Sequence, residues 1–326
     1  MSPVAQRLAS TPRPLGRSAV RVSALSLGTA PLGNLYTEVT DEASTDTVRT
    51  ALRLGIRYVD VAPFYGFGIA ERRLGAALSG IARDDVVVST KVGRLCRPDN
   101  SGQPGAIFDF TADGIRRSVE ESLTRLNLDR IDILYIHDPD DHLDQAIDEA
   151  YPTLHQLRAE GVIGAIGVGM NFSAPLARFV RETEIDGVLC AGRYTLLDQS
   201  ALADLLPAAI DRGASVVIGG VYNSGVLADP RPGAHYDYRD APADIVARAQ
   251  QLDEVCREFD VPLKAAATQF PFGSPAVATV LTGARLPAEI TENVAMFEHP
   301  IPAQLWSRLV ERGLLPAESV QTLIEN

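Results

Sequence analysis

Four residues of this 326-residue chain, Asp60, Tyr65, Lys91 and His137, are of types that can work together in acid–base chemistry. Each ends or follows a short apolar run, in the segments VDVAPFYG, VVVSTK and ILYIH. A tyrosine hydroxyl ordinarily loses its proton only near pH ~10. A lysine ammonium beside it favours the phenolate and lowers that value, while an aspartate orients the ammonium. A histidine can donate or accept a hydrogen bond at the reacting oxygen. Such general acid–base catalysis contributes ~10²–10⁴-fold, so the rest of a rate enhancement must come from positioning a reactive cofactor. Singly, each residue has an ordinary structural explanation: a capping aspartate, a packed tyrosine, a solvated lysine, a satisfied core histidine. Their recurrence at the same end of three successive elements is what argues for a site.

These positions become neighbours only if the apolar runs are adjacent parallel strands. Runs at 24–27, 57–61, 86–89, 131–136, 162–168, 187–190, 215–218 and 276–281 alternate with helical patterns. The helices are predicted over 41–54, 71–78, 111–126, 143–160, 174–182, 200–211, 243–259 and 287–295. Thr40 or Asp41 caps the first, and Thr111 caps the third, with Ile115, Val119, Leu123 and Leu126 on one face. Eight strand–helix units predict an α/β protein of the (β/α)8 TIM-barrel class, a single domain over 1–326. A doubly wound sheet would leave a second domain, and no linker marks one. Residues 1–18 are predicted as an N-terminal extension, 220–242 as a long loop after strand seven, and 302–312 as an extra C-terminal helix. A barrel carries its chemistry at the C-terminal ends of its strands, where Asp60, Lys91 and His137 fall on strands two, three and four.

Composition narrows the partners. Acidic residues number 42 against 30 basic, a net charge of −12, which argues against a nucleic-acid partner but not against a small phosphorylated ligand. No apolar run reaches the ~20 residues of a membrane helix, and the first residues lack a secretory signal's apolar core. Cys96, Cys190 and Cys256 are widely spaced, and the five histidines show no HxH or HExxH pattern. The expectation is therefore a cytoplasmic protein with reduced thiols, no metal site and no membrane partner. No sequence feature sets an oligomeric state.

The pattern VDVAPFYG…VVVSTKVG…ILYIHDPD resembles the Asp–Tyr–Lys–His tetrad of the aldo-keto reductases. The likeness runs from LSLGTAPLGNLY (26–36) to GARLPAEITENVAMF (283–297). Within that superfamily, AGRYTLLDQ (191–199) and GGVYNSGVLA (219–228) are similar to the D-threo-aldose 1-dehydrogenases, also called L-fucose or L-galactose dehydrogenases. Pyridoxal 4-dehydrogenases share much of the pattern.

The resemblance implies an oxidoreductase with a nicotinamide dinucleotide over the barrel mouth and no Rossmann domain. No strand–GxGxxG–helix fingerprint occurs, since Gly66-Phe67-Gly68 continues Ile-Ala-Glu and lacks the third glycine. By position, Asn171 would meet the carboxamide, Tyr222 would stack on the nicotinamide, and Asn223, Ser224 and Gly225 would line the pyrophosphate. A plain surface turn is the alternative for the last three. Thr29, Gly283 and Asn293 complete the implied contacts. The chain departs from the family pattern at Ala191, a Gln in many relatives, and at Met170, usually Ser. Glu289 stands where many NADP-preferring relatives carry Arg, and a carboxylate there repels a 2′-phosphate. Arg285 nearby favours one. The reading is NAD, with NADP as the alternative.

For the substrate, Phe64, Asp138, Asp140 and Arg193 lie on the same rim. The charges either meet sugar hydroxyls or are solvated, and Phe64 with Phe67 either forms an apolar wall or packs beneath its loop. The reaction the resemblance implies is oxidation of an aldose at C1 to the lactone, with Tyr65 taking the hydroxyl proton. The alternatives are a pyridoxal 4-dehydrogenase, a broad aldehyde or ketone reductase, and, in another class, a non-catalytic nucleotide-sensing subunit, against which the intact tetrad argues.

Overall fold

Strands covered on both faces read as near-continuous hydrophobic runs, and the eight runs of this chain fold that way. The computed structural model describes residues 8–35, 37–98 and 104–325. Its barrel strands are β1 (Leu25–Gly28), β2 (Tyr58–Asp60), β3 (Val87–Val92), β4 (Ile131–His137), β5 (Ile163–Met170), β6 (Gly187–Ala191), β7 (Ser215–Gly219) and β8 (Val277–Gly283). Each pairs in parallel with the next, and β8 with β1, closing the barrel. This is the predicted (β/α)8 architecture.

The helices of the outer ring begin where capping residues allow. Thr40 accepts from the N–H of Ala43 ahead of α1 (Asp41–Arg53), and Thr111 from that of Gly114 ahead of α3 (Ala112–Leu126), with α2 (Ile69–Leu78) between them. The stretch predicted as one helix over 143–160 is instead a short helix at Leu143–Gln145, a π turn at Ala146–Ala150, and α4 (Tyr151–Ala159). Pro152 has no N–H to give to the residue four before it, and the wider turn absorbs the gap. The helix predicted over 200–211 likewise breaks, into a 3-10 turn at Ser200–Leu202 and a helix at Leu205–Arg212 capped by Asp204.

Several pieces have no counterpart in the sequence reading. Arg94–Pro98 pairs antiparallel with Pro104–Phe108 after β3, and a helix at Leu263–Gln269 precedes β8. Another closes the barrel base: Pro12–Pro14, inside the segment 1–18 read as an N-terminal extension, pairs with Arg21–Ser23 just beyond it. Residues 1–7 of that segment lie outside the described residues. Leu15 and Val22 of this hairpin are buried in one cluster with the inward-facing Tyr58, Ile133, Tyr135, Ala165, Leu189, Val217 and Ala278. Side chains alternate along a strand, so Asp60, Lys91 and His137, each two residues beyond Tyr58, Ser89 and Tyr135, also face the interior, one layer nearer the C-terminal rim.

Candidate active site

The register of β2, β3 and β4 sets the tetrad. Asp60 lies opposite Ser89, and Lys91 opposite Tyr135. Lys91 Nζ donates to Asp60 Oδ2 at 2.6 Å and to the Val61 carbonyl at 3.0 Å, while Ser89 Oγ donates to Asp60 Oδ1 at 2.6 Å. Beneath them the Tyr58 hydroxyl is 3.0 Å from Ser89 Oγ and 3.2 Å from the Tyr135 hydroxyl. Asp60 and Lys91 are 1% and 2% exposed. Such a buried ion pair is tolerated only when its remaining hydrogen-bonding capacity is met, as Ser89 and the Val61 carbonyl do here. Tyr65, from the loop after β2, sets its ring 4.8 Å from Lys91 Nζ and edge-on to His137, 6.3 Å between centroids.

The electrostatics follow from burial. Desolvation pushes the Tyr65 phenol above its ordinary value, and the Lys91 ammonium pulls it only part of the way back. The sequence expectation of a net lowered Tyr65 is thus corrected: the lysine acts in the expected sense, but burial outweighs it. For Lys91 the balance is reversed. Burial works against its charge, Asp60 and then Tyr65 outweigh that, and the ammonium is held above its usual range. His137 is pushed well below the ordinary imidazole value by burial and by the Lys91 and Arg94 cations, so it is neutral at physiological pH. Its Nε2 is 3.5 Å from Asp138 Oδ2, and its buried Nδ1 has no hydrogen-bond partner.

A cleft of about 920 Å3 opens along the β5–β8 side of the rim, in the size range of small-molecule sites. Asn171, Tyr222, Asn223, Ser224, Gly225, Gly283, Arg285, Glu289 and Asn293 all line it. Tyr222 donates to Asn293 Oδ1 at 3.2 Å, and Asn293 Nδ2 to the Gly283 carbonyl at 3.2 Å. Residues Asn223–Gly225 form a 3-10 turn with Asn223 and Ser224 in the left-handed region. Asn223 Nδ2 donates to the Gly192 carbonyl at 3.3 Å, leaving its buried Oδ1 unpartnered beside the cleft. A cleft of this size with an orphaned amide oxygen and a run of small residues fits a dinucleotide.

Four assignments change. Thr29 is fully buried and donates to the Asp60 carbonyl at 2.8 Å, so it secures the end of β2 rather than the cleft wall. Arg193 lines the cleft, but its guanidinium is engaged by Asp237 at 3.0 and 2.9 Å. Glu289 does not stand against Arg285; it holds it, at 2.6 Å from Nη2 and 2.7 Å from the Arg285 backbone N–H. Phe64 is covered by Arg94, whose guanidinium lies 3.7 Å from the ring centre and bonds Asp138 at 2.7 Å. Asp138 itself has a φ of +45° and a carboxyl raised by burial despite Arg94.

Sequence reasoning missed Arg94, Phe172, Tyr238 and Lys264. Arg94 and Phe172 follow the ends of β3 and β5 by two residues, and that position was itself a usable signal. Lys264, ion-paired to Glu292 at 2.6 Å, and Tyr238 reach the cleft from outside the barrel strands and carried none.

A closed parallel barrel with a buried lysine–aspartate pair, a tyrosine and a neutral histidine on one rim defines an oxidoreductase acting on CH–OH or carbonyl groups. The Aldo/keto reductase family model matches residues 24–312, and the chain belongs to that family. A D-threo-aldose 1-dehydrogenase of Pseudomonas sp is 42% identical over 327 residues, covering 95% of this chain and 99% of the relative. A pyridoxal 4-dehydrogenase of Microbacterium luteolum is 40% identical, covering 94% and 98%. The holo form of an aldo-keto reductase from Bacillus halodurans superposes with a TM-score of 0.77 at 28% identity, covering 94% of this chain and 97% of that one. The cofactor of this family is NAD or NADP.

Proposed function

We propose that this enzyme oxidises a cyclic aldose at C1 to the lactone, with Tyr65 as the group that exchanges the proton of the C1 oxygen. The observation that carries the reading is the buried Lys91–Asp60 contact of 2.6 Å beside the Tyr65 ring. Bound nicotinamide supplies the hydride acceptor, or the donor in the reverse direction. Lys91 stabilises the phenolate that forms when Tyr65 gives up its proton, and Asp60 keeps Lys91 charged and oriented. Neutral His137 offers a hydrogen bond to the same oxygen without adding a charge. Asn171 and the 223–225 turn are assigned to the dinucleotide, with Tyr222 against its ring.

The aldose assignment rests on similarity to the Pseudomonas sp enzyme over nearly the whole of both chains. The Microbacterium luteolum relative makes pyridoxal the second substrate to test. For the dinucleotide we favour NAD, because an Arg285 already neutralised by Glu289 is a poor receptor for a 2′-phosphate. Because no helix among the described residues is long and apolar enough to cross a membrane, and the cysteines among them are free, we place the enzyme in the cytoplasm. Absorbance of the reduced nicotinamide on mixing with L-fucose and NAD or NADP, with Tyr65→Phe as control, tests the reading. Tyr65-dependent reduction of NAD is expected; silence with aldoses but turnover of pyridoxal would transfer the tetrad to that substrate.

A further inference from the structure

Arg94 opens the strand Arg94–Pro98, where it pairs with Phe108. Its guanidinium lies 3.7 Å from the centre of the Phe64 ring and 5.3 Å from that of Phe108. Among the described residues its buried Nε has no hydrogen-bond partner, while its Nη1 donates to Asp138 Oδ2 at 2.7 Å. A cation clamped against two aromatic faces has little freedom left, so the carboxylate it grips is fixed as well.

Asp138 is also fixed through its backbone. It follows His137 at the end of β4, and its N–H donates to the Gly169 carbonyl at 3.0 Å. Its φ of +45° is a left-handed conformation open to few residue types besides glycine. The same Oδ2 lies 3.5 Å from His137 Nε2. Because His137 Nδ1 is buried, Nε2 is the nitrogen available to the reacting oxygen. Among the described residues Asp138 Oδ1 accepts no hydrogen bond, and the side chain is 31% exposed. An aspartate with one oxygen committed and one open thus stands beside that imidazole nitrogen.

Oxygens on adjacent carbons lie about one hydrogen-bond length apart. A substrate oxygen bonded to Nε2 therefore brings a hydroxyl on the next carbon within reach of the Asp138 carboxylate. We propose that Asp138, positioned by Arg94, accepts a hydrogen bond from that hydroxyl, so that the enzyme selects 2-hydroxy aldehydes and their cyclic hemiacetals over plain aldehydes. The proposal rests on the reading of Tyr65 and His137 as the pair that meets the reacting oxygen, and on no particular sugar.

The test follows reduction of lactaldehyde and of propanal, which differ only in that hydroxyl, by the full-length protein with reduced dinucleotide. A substitution leaves the intrinsic reactivity of both aldehydes untouched, so the change in their ratio of kcat/KM is the readout. Asp138→Gly removes the carboxylate and relieves the left-handed backbone; it is expected to lower the ratio of lactaldehyde over propanal by about tenfold, the scale of one hydrogen bond to a charged acceptor. Asp138→Asn, also tolerated at positive φ, keeps the shape without the charge and lowers the ratio by about threefold. Arg94→Gln lowers it through KM more than through kcat, and Arg94→Lys, which keeps the charge, recovers part of the loss. A ratio unchanged in both Asp138 variants would overturn the proposal, and a loss in Arg94→Gln shared equally by the two aldehydes would overturn the positioning role of Arg94. Reduction of both aldehydes that survives Tyr65→Phe is instead a failure of the tetrad reading. If the wild type accepts only sugars, the same ratio is read with L-fucose and 2-deoxy-L-fucose. Exclusive turnover of pyridoxal, whose carbon next to the aldehyde carries no hydroxyl, would also overturn the proposal.

Discussion

On the β2–β4 arc, Asp60, Lys91 and His137 are 7% exposed or less and stand on the final residues of strands or just before. On the β6–β8 arc, Asn223, Ser224, Asp237 and Tyr238 stand in loops and all have positive φ. The first group is held by the ladder of the barrel, which aligns Asp60 with Ser89 and Lys91 with Tyr135 before any side chain makes a contact. The second is held by local turns and by side-chain contacts between loops: Arg193 on Asp237, Glu289 on Arg285, Asn223 on the Gly192 carbonyl. The difference separates chemistry from recognition. Loops vary without disturbing the ladder, so the same tetrad can serve different ligands.

The largest expected effect breaks the rigid arc at its reacting atom. Tyr65→Phe removes the exchangeable proton, and turnover falls by about 10²-fold or more while dinucleotide affinity is retained. Near-normal turnover would remove Tyr65 from the acid–base role. Lys91→Met comes next, because it strands the buried Asp60 carboxylate; thermal unfolding should show a loss of about 3 kcal/mol together with lost activity. A melting temperature equal to that of the wild type would mean Asp60 has found another partner.

Titration sharpens the same comparison. With Tyr65 held above the ordinary phenol value, the oxidative kcat should climb as pH rises into the alkaline range, where the base form grows. Aldehyde reduction, which uses the acid form, should hold through neutrality. His137 acts on stability in the opposite limb. Its folded value lies below its unfolded one, so the unfolded chain binds the extra proton first and stability declines as pH falls below about 6.5. His137→Gln should flatten that decline in denaturation midpoints measured from pH 7 to pH 4; an unchanged slope would assign it to other groups.

The smallest effect probes the loop arc. Glu289→Ala frees Arg285 and should move preference towards NADP by about tenfold, the scale of one charge-assisted contact. Equal preference before and after would show that the pair does not reach the ribose.

How much of this was legible follows from the same division. Eight short apolar runs between amphipathic helices specify a barrel, and a barrel specifies which strand ends share a rim; Asp60, Lys91 and His137 needed nothing more. Thr29 was misassigned because its position at the end of β1 matches a rim residue, whereas its hydroxyl turns sideways to the Asp60 carbonyl. Glu289 and Arg285 were read as opponents because sequence shows two charges four residues apart but not that they close on each other. Tyr238 carried no signal at all, since a tyrosine in a left-handed turn breaks the local preference by which turns are recognised.

The fold was therefore determined by the sequence itself, because periodicity and strand order are local properties that a closed barrel converts into one geometry; the family and the proposed acid–base set were read from the motifs the sequence carries. The net protonation of Tyr65, the pairing of Glu289 with Arg285, and that of Asp237 with Arg193 were decided only by the tertiary structure. Each depends on desolvation or on side-chain contacts that form only once the chain has folded, and neither leaves a local trace.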